Sequence, residues 1–404
     1  MLRRAALAAT LVSTALLLTG DPAVAAVSIT TATGGGAISA DTTGGTFAAL
    51  TGPVVAESNK ADVGAGSVIL DAPAGFAFRT TQTVTITNSA TGSGATTISA
   101  TGSCSSPGST ATVTPAAAQI IFFVCAGSTN NGHLATLTYT GIAVRPTAGT
   151  PLANGNLVVA SASTSTLVGV TKGITSLGTL TEVPGTTTKL GVTGLASPAT
   201  AGTATTATIT AEDQFGNTTA GYAGTVHYTS TDAQAVLPSN ATLTNGTGTT
   251  SVTFKTAGSQ TLTATDTNNA SITGSQTVIV NAAGASSFVV SGISSPRTAG
   301  PPAATLSVTA KDAFGNTATS YAGTLHFAST DAQATLPANS TLTNGAGAFS
   351  VTLKTARTQS VTAVDTVTST IIGTQSGIQV NAAATSTLQV AASPTSIMQP
   401  MRSR

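Results

Sequence analysis

Residues 207–266 read ATITAEDQFGNTTAGYAGTVHYTSTDAQAVLPSNATLTNGTGTTSVTFKTAGSQTLTATD, and residues 306–365 read LSVTAKDAFGNTATSYAGTLHFASTDAQATLPANSTLTNGAGAFSVTLKTARTQSVTAVD. The two stretches align without a gap at a spacing of 99 residues. A period of about 100 residues fits one small β-sandwich and is too long for the common short helical or propeller repeats. The duplicated stretch therefore predicts two tandem domains of the same fold.

Apolar residues in both copies alternate with threonine or serine. Ala207, Ile209 and Ala211 share one parity, and the residues 99 positions later are also apolar. A period of two buries one face of a β-strand and leaves the other face in solvent. Turn-forming stretches such as LTNGTG separate these runs. The pattern predicts an all-β chain of antiparallel strands.

The stretch DQFGN at 213–217 returns as DAFGN at 312–316. Phe215 and Phe314 continue the parity of the inward residues before them, which predicts that each ring caps the core of its own domain. Gly and Asn tolerate positive φ, and a short carboxylate can accept hydrogen bonds from turn amides. The preferred interpretation is a structural turn that is built twice.

Calcium binding is the alternative interpretation of the repeated aspartates. Carboxylate oxygens are hard ligands that suit Ca²⁺, although neither copy has a dense Asp-x-Asp cluster. No other cofactor or metal is expected. The candidate calcium ligands are Asp213, Asp232, Asp266, Asp312, Asp331 and Asp365.

Four motifs occur in both copies: A-x-D-x-F-G-N, STD, S-V-T-x-K-T-A and T-A-x-D. With them, residues 187–382 resemble the bacterial immunoglobulin-like repeats of surface and secreted proteins, which are related in pattern to the stalk domains of invasin and intimin. The resemblance implies antiparallel β-sandwiches arranged in tandem, which hold adhesive or catalytic modules away from a cell.

The N-terminal region does not align with the repeat, yet it contains strand-like runs such as GSVILDAPAGFAF and QIIFFVC. LQVAASP at 388–394 matches the start of both repeats and indicates either a truncated third repeat or a disordered tail. The predicted segments are a signal peptide (1–25), an N-terminal β-sandwich domain (26–185), an immunoglobulin-like repeat 1 (186–284), an immunoglobulin-like repeat 2 (285–384), and this C-terminal segment (385–404).

The N-terminus has the features of a secretory signal. Arg3 and Arg4 precede an apolar run at 5–18, and AVA at 23–25 fits a cleavage site. The run is shorter than the roughly 20 residues that a membrane span needs, and an uncleaved anchor is the alternative. These features predict a secreted, extracellular or cell-surface protein with no membrane span after cleavage.

Charged residues make up only 7% of the 404 residues, and the formal net charge is +1. Cleavage after residue 25 would leave equal numbers of basic and acidic side chains. Such a surface does not attract nucleic acid or anionic lipid. The expected partner is instead a cell-envelope polysaccharide or another surface protein.

Cys104 and Cys125 are the two cysteines of the chain. In an exported protein a lone pair predicts a disulfide, here between the ends of two strands. A metal-binding or redox pair is the alternative, but the pair lacks C-x-x-C spacing and nearby histidines.

No catalytic constellation is visible in the sequence, so the chain is expected not to be an enzyme. His227 and His326 occupy the same repeat position and are predicted to face solvent, and His133 stands alone in NNGHLA. The predicted function is that of a structural or adhesive protein whose repeats act as a spacer or interaction stalk. The alternative is a carbohydrate-binding accessory module with the N-terminal domain as the binder, although the chain has no Trp.

Overall fold

The structure is a computed structural model that describes residues 26–385. The predicted signal peptide and the predicted C-terminal segment beyond residue 385 lie outside the described residues. Within them the chain divides into two compact units, one formed by residues 26–187 with 212–219 and the other by residues 188–211 with 220–385. The domain bounds predicted from the sequence stay predictions.

The N-terminal domain contains only short strands and one 3₁₀ helix, Ala40–Gly44. Its strands are β1 Ser28–Thr30, β2 Ile38–Ser39, β3 Ala48–Ala49, β4 Val54–Ala56, β5 Gly66–Asp71, β6 Phe76–Phe78, β7 Val84–Asn88, β8 Thr97–Ser99, β9 Thr110–Val113, β10 Gln119–Ala126, β11 Thr136–Thr140, β12 Ala143–Pro146, β13 Asn154–Val159 and β14 Ser176–Val183.

These strands form a five-stranded sheet in the order β1-β4-β11-β7-β9, a six-stranded sheet in the order β2-β14-β13-β5-β10-β8, and a small sheet in the order β3-β12-β6. Strand β10 shows why the residues pack this way. Ile120, Phe122 and Val124 point into the core, whereas Ile121 between them is exposed. Phe122 meets the buried Tyr139 edge-to-face at a centroid distance of 5.7 Å, a geometry that aromatic pairs favour.

The two repeats have matching strands. Those of repeat 1 are β15 Lys189–Thr193, β16 Ala199–Thr200, β17 Ala204–Glu212, β18 Thr225–Ser230, β19 Ala241–Thr242, β20 Thr247–Thr253, β21 Gly258–Asp266 and β22 Thr273–Asn281. Those of repeat 2 are β23 Ser287–Ser291, β24 Arg297–Thr298, β25 Ala304–Lys311, β26 Thr324–Ser329, β27 Ser340–Thr341, β28 Ala346–Val351, β29 Thr358–Asp365 and β30 Ile372–Asn381.

Each repeat is a sandwich of a three-stranded and a five-stranded sheet. Repeat 1 has the orders β15-β17-β20 and β16-β22-β21-β18-β19, and repeat 2 has β23-β25-β28 and β24-β30-β29-β26-β27. Each repeat has its own hydrophobic core, and Ala207, Ile209 and Ala211 are fully buried as their parity predicted. The predicted all-β fold of tandem sandwiches is confirmed.

One short parallel pair in each domain departs from the predicted antiparallel arrangement. Strand β2 pairs parallel with β14, β16 with β22, and β24 with β30. The short strands β2, β16 and β24 each have two residues. Such brief stretches carry too little alternation to be recognised from sequence.

The predicted disulfide between Cys104 and Cys125 is present, with a Cα–Cα distance of 5.7 Å. Its placement differs from the prediction because Cys104 lies in the loop after β8 rather than at the end of a strand, while Cys125 lies within β10. The bond therefore fastens a surface loop to the six-stranded sheet. No helix among residues 26–385 has the length and apolar character needed to cross a membrane.

We expect the double variant Cys104→Ser, Cys125→Ser to lower the free energy of unfolding of the N-terminal domain by about 3 kcal/mol, because the disulfide restricts the unfolded chain. Denaturant unfolding measures this loss, and the transition of the two repeats serves as the internal control. An unchanged N-terminal transition would show that the loop contributes nothing to stability.

Candidate functional site

The DAFGN turn of repeat 2 is held together by one carboxylate. Asp312 Oδ1 accepts hydrogen bonds from the backbone N–H groups of Phe314 at 2.9 Å and Asn316 at 2.8 Å. Gly315 adopts φ +86°, a backbone conformation that L side chains rarely adopt. The Asn316 side chain also donates to Asp312 Oδ2 at 2.8 Å. The aspartate thus organises the turn, as its sequence predicted.

The same turn also bonds to the preceding repeat. Asn316 Nδ2 donates to the Lys255 carbonyl oxygen at 2.7 Å, and the Ala257 N–H donates to Asn316 Oδ1 at 2.8 Å. One side-chain amide therefore satisfies both a donor and an acceptor of the repeat 1 backbone. We call these contacts, together with the Phe314 and Asp312 contacts described next, the interrepeat joint.

The predicted position of Phe314 is wrong. Its ring packs against the hydrophobic core of repeat 1 instead of capping the core of repeat 2. It lies over Gly202, where an added Cβ would stand 2.4 Å from two ring carbons, and Lys255 Nζ lies 5.9 Å from its centroid. The parity of β25 does not apply to Phe314 because the residue lies beyond the end of that strand.

The linker between the repeats is fixed by the same aspartate. The Ala283 N–H donates to Asp312 Oδ2 at 3.0 Å. Burial raises the pKa of Asp312, but the hydrogen bonds from Asn316, Ala283 and Phe314 outweigh it and hold the pKa below its usual value. A charged Asp312 therefore stabilises both the turn and the linker.

The first unit contains the same arrangement around the DQFGN turn. Asp213 Oδ1 accepts from the backbone of Phe215 and Asn217, and Asp213 Oδ2 accepts from the linker N–H of Gly185 at 2.8 Å. Asn217 Nδ2 donates to the Gly149 carbonyl oxygen at 2.7 Å. The Phe215 ring covers Gly149, so its predicted role as a cap on its own core is also wrong.

Asp41 makes a further connection in this first unit. Its Oδ2 accepts from the Thr186 N–H at 2.7 Å, and its Oδ1 accepts from Gln214 Nε2 at 3.1 Å. The backbone hydrogen bond from Thr186 is the main cause that lowers the pKa of Asp41. The role of Asp41 could not be recognised from the sequence, because nothing in its neighbourhood is repeated.

Glycines that receive the phenylalanine rings were also missed. Gly149 and Gly202 each end a TAG tripeptide, at 147–149 and 200–202, and the same tripeptide occurs at 219–221, 256–258 and 298–300. An added Cβ at Gly221 or Gly258 meets nothing within 4 Å, so the tripeptide alone does not mark a position that receives a ring. A ring can lie on the backbone at Gly149 and Gly202 because glycine has no Cβ.

Asp232 and Asp331 each connect two loops of a single repeat. Asp331 Oδ2 accepts from the N–H groups of Lys354 and Thr355, and Oδ1 accepts from Thr355 Oγ1 at 2.6 Å. Asp232 makes the equivalent bonds in repeat 1. Burial raises the pKa of Asp331, but these hydrogen bonds outweigh it and bring the pKa to about 2.

The third pair of aspartates, Asp266 and Asp365, binds tyrosines. Tyr222 donates its hydroxyl to Asp266 Oδ2, and Tyr321 donates to Asp365 Oδ2. Burial, followed by the hydrogen bond to the carboxylate, raises the pKa of both tyrosines. Both rings also pack against the core of their own repeat, so they are structural groups rather than exposed stacking platforms.

The calcium hypothesis gains no geometric support from these positions. The six candidate aspartates accept hydrogen bonds from N–H and O–H groups at separate places in the fold. Among residues 26–385 there is no group of three or more His, Cys, Asp or Glu side chains placed to hold a metal ion. His227 and His326 are exposed, as predicted, and each bonds to an asparagine through Nδ1.

An open groove lies on the N-terminal domain, with a volume of about 480 Å³. Leu50 and Val54 contribute apolar surface to it, and Tyr139 lines it although its ring is buried. The polar lining consists of threonines: Thr30, Thr31, Thr33, Thr51, Thr138 and Thr140. The groove therefore offers hydroxyl groups and no charged side chain among its lining residues.

No family model and no curated protein matches this chain. Similar solved structures include FdeC, an Escherichia coli adhesin (18% identity, TM-score 0.32, covering 63% of this chain and 80% of that one). Another is invasin, a bacterial integrin-binding protein (18% identity, TM-score 0.33, 88% and 60%). A third is domains 4–9 of the surface layer protein SbsC (17% identity, TM-score 0.21, 60% and 37%).

The chain therefore spans less than two thirds of the invasin and SbsC structures. Because each TM-score is below 0.5, the fold of this chain is judged from its own strand order and cores.

We expect Asp331→Asn to lower the free energy of unfolding of repeat 2 by about 2 kcal/mol at pH 7, because an amide oxygen accepts the Lys354 and Thr355 hydrogen bonds less well than a carboxylate does. The folded-state pKa of about 2 lies below the unfolded-state value of about 3.9. The stabilisation is thus complete above about pH 4 and is lost as the pH falls through 2.

Denaturant unfolding of the wild type and the variant between pH 7 and pH 2 tests this pH dependence. Lys354→Gln is the matched control, because it removes a charge next to the site and leaves the backbone N–H in place. A difference between wild type and Asp331→Asn that stays constant over this range would contradict the assignment.

Proposed function

We propose that this chain is a secreted or cell-surface structural protein whose immunoglobulin-like repeats form a jointed spacer that also offers surfaces for adhesion. The observation that carries the proposal is the interrepeat joint, in which the Asp312–Asn316 turn bonds to both the linker and the preceding repeat. A spacer needs neighbouring domains that resist bending relative to each other, and this joint opposes bending.

The joint combines three kinds of contact. Hydrogen bonds through Asn316 and Asp312 contribute roughly 0.5–1.5 kcal/mol each, and more where a charged carboxylate accepts. Burial of an aromatic ring such as that of Phe314 adds roughly 1.5–3 kcal/mol for a fully buried side chain, and less here because the ring is half-buried. Domains without such a contact move freely about their linker by default.

Composition is consistent with this role. The low charge and the threonine-rich strand faces give the chain no strong field for steering a charged ligand. No catalytic activity is proposed. The proposed partner is another surface protein or a cell-envelope polysaccharide. In this proposal the signal peptide ends at residue 25, and the N-terminal domain at 26–185 precedes the repeats at 186–284 and 285–384.

Carbohydrate binding by the N-terminal domain is the second candidate function. The observation that favours it is the groove of about 480 Å³ with its six lining threonines. Hydroxyl groups both donate and accept hydrogen bonds, as sugar hydroxyls do. In this case the N-terminal domain is the binder and the repeats are its support.

Phe314→Ala and Asn316→Ala test the spacer. Removal of either side chain opens the joint, so we expect the Ala257 and Ala283 N–H groups to exchange with solvent about tenfold faster. Residue-resolved amide hydrogen exchange measures this change. Ala313→Gln is the matched control, because it places in the exposed loop position the residue that repeat 1 has at Gln214.

Equal exchange in the wild type and both variants would mean that the turn does not hold the repeats together, and the proposed spacer would fail. Strand amides of β21 and β29 serve as references for the folding of each repeat. Their exchange is expected to stay unchanged.

The carbohydrate candidate is tested by retention of the full chain on a panel of cell-wall polysaccharides. We expect Thr138→Val and Thr140→Val to weaken retention about fivefold each, since each removes one hydrogen-bonding hydroxyl. Thr110→Val lies outside the groove and is the control. Retention that is absent, or equal in all variants, would reject the groove as a sugar site.

A further inference from the structure

Repeat 2 has the same receiving surface that repeat 1 uses in the interrepeat joint. In repeat 1 this surface consists of Gly202, the Lys255 carbonyl oxygen and the Ala257 N–H, with the linker N–H of Ala283 beside it. The repeat 2 residues at these positions are Gly300, Lys354, Ala356 and Ala383. We call these four residues the repeat 2 socket.

Backbone hydrogen bonds show that the socket is formed as its counterpart is. The Gly202 N–H donates to the Phe254 carbonyl oxygen at 2.7 Å, and the Gly300 N–H donates to Leu353 at 2.8 Å. Both glycines have similar positive φ angles, +80° and +89°. The receiving surface therefore does not need to rearrange before it binds.

Occupancy is what distinguishes the two surfaces among the described residues. In repeat 1 the space above Gly202 is filled by the Phe314 ring. In repeat 2 an added Cβ on Gly300 would meet no described atom within 4 Å. No residue in 26–385 donates to the Lys354 carbonyl oxygen or accepts from the N–H groups of Ala356 and Ala383.

The sequence around the socket differs from repeat 1 at several positions, two of them next to socket residues. Pro301 and Pro302 replace the single residue Thr203, and Arg357 replaces Gly258. The extra residue lies in a loop that is stabilised by contacts within repeat 2, because Arg297 Nη2 donates to the Pro302 carbonyl oxygen at 2.8 Å. Within residues 26–385 the space above Gly300 stays open despite this insertion.

We propose that the repeat 2 socket is a binding site for the Asp-x-Phe-Gly-Asn turn of a further immunoglobulin-like domain joined to repeat 2 through the linker that ends at residue 384. The chemistry of the occupant follows from the filled counterpart: a carboxylate for the Ala383 N–H, a side-chain amide for Lys354 and Ala356, and an aromatic ring for Gly300. The proposal rests on the proposed spacer function and extends it to a longer array.

Two observations select this source of the turn. Both turns of the chain itself, at 213–217 and 312–316, are already engaged, so a second copy has no free turn to offer. The linker also has the required register, because NAAATSTLQV at 381–390 aligns with NAAGASSFVV at 281–290, the linker that leads from repeat 1 into repeat 2.

The test adds a domain to the full chain. A copy of residues 285–384 is inserted between residues 384 and 385, so that residues 385–404 follow the added domain, and the insertion recreates the linker of the existing joint with Ala384 in place of Gly284. Gly284 tolerates this change, because an added Cβ there meets nothing within 4 Å. Since the socket consists of backbone groups, the variants are placed in the added turn, at the copies of Phe314 and Asn316.

Amide hydrogen exchange at Ala356 and Ala383 is the measurement. We expect both N–H groups to exchange about tenfold more slowly in the extended chain than in the 404-residue chain, and to lose this protection when the copied Phe or Asn becomes Ala. The copied Ala313→Gln is the control that should keep it. Unchanged exchange at Ala356 and Ala383 in the extended chain would overturn the proposal.

The existing interrepeat joint distinguishes failure of the socket proposal from failure of the spacer proposal within the same sample. If Ala257 and Ala283 are protected while Ala356 and Ala383 are not, the socket proposal fails and the spacer stands. If none of the four is protected, both fail. Protection of Ala356 and Ala383 in the unmodified chain would also overturn the proposal: if it grows with protein concentration, a second copy fills the socket, and if it does not, residues 386–404 fill it.

Discussion

A single buried carboxylate at the end of one strand is the constraint on which the arrangement of the repeats depends. Asp312 can accept four hydrogen bonds at once, and it divides them among its own turn, the linker N–H of Ala283 and the Asn316 side chain. Because Asn316 is held in this way, its amide is aimed at the backbone of the preceding repeat. The turn, the linker and the joint are therefore one hydrogen-bonded system.

Strand pattern was the part of the fold that could be predicted from sequence. The alternation of Ala207, Ile209 and Ala211 with threonines depends only on the geometry of a strand with one buried face, so it is visible without knowledge of neighbours. The turn at 312–316 was also recognisable, because its Gly and Asn are favoured by local backbone conformation. The disulfide followed from cysteine count and export, although not its exact attachment point.

The surface on which the Phe314 ring packs could not be predicted from the sequence, for a physical reason. Strand parity states which face of a strand a residue occupies, but it carries no information once the chain has left the strand. Whether a ring beyond that point packs on its own core or on a neighbour depends on a glycine more than 100 residues away, Gly202. The repeated aspartates show the same limit, since Asp232 accepts from the Lys255 N–H and Asp266 accepts from the Tyr222 hydroxyl, and only folding brings these partners near them.

We infer that the Asp312–Asn316 turn makes repeats 1 and 2 move as one body, and ¹⁵N relaxation of the full chain is the direct measurement of this motion. We expect one common rotational correlation time for strand amides of both repeats, and two separate, shorter times in the double variant Phe314→Ala, Asn316→Ala. Separate correlation times in the wild type, or a common time that the double variant leaves unchanged, would contradict it.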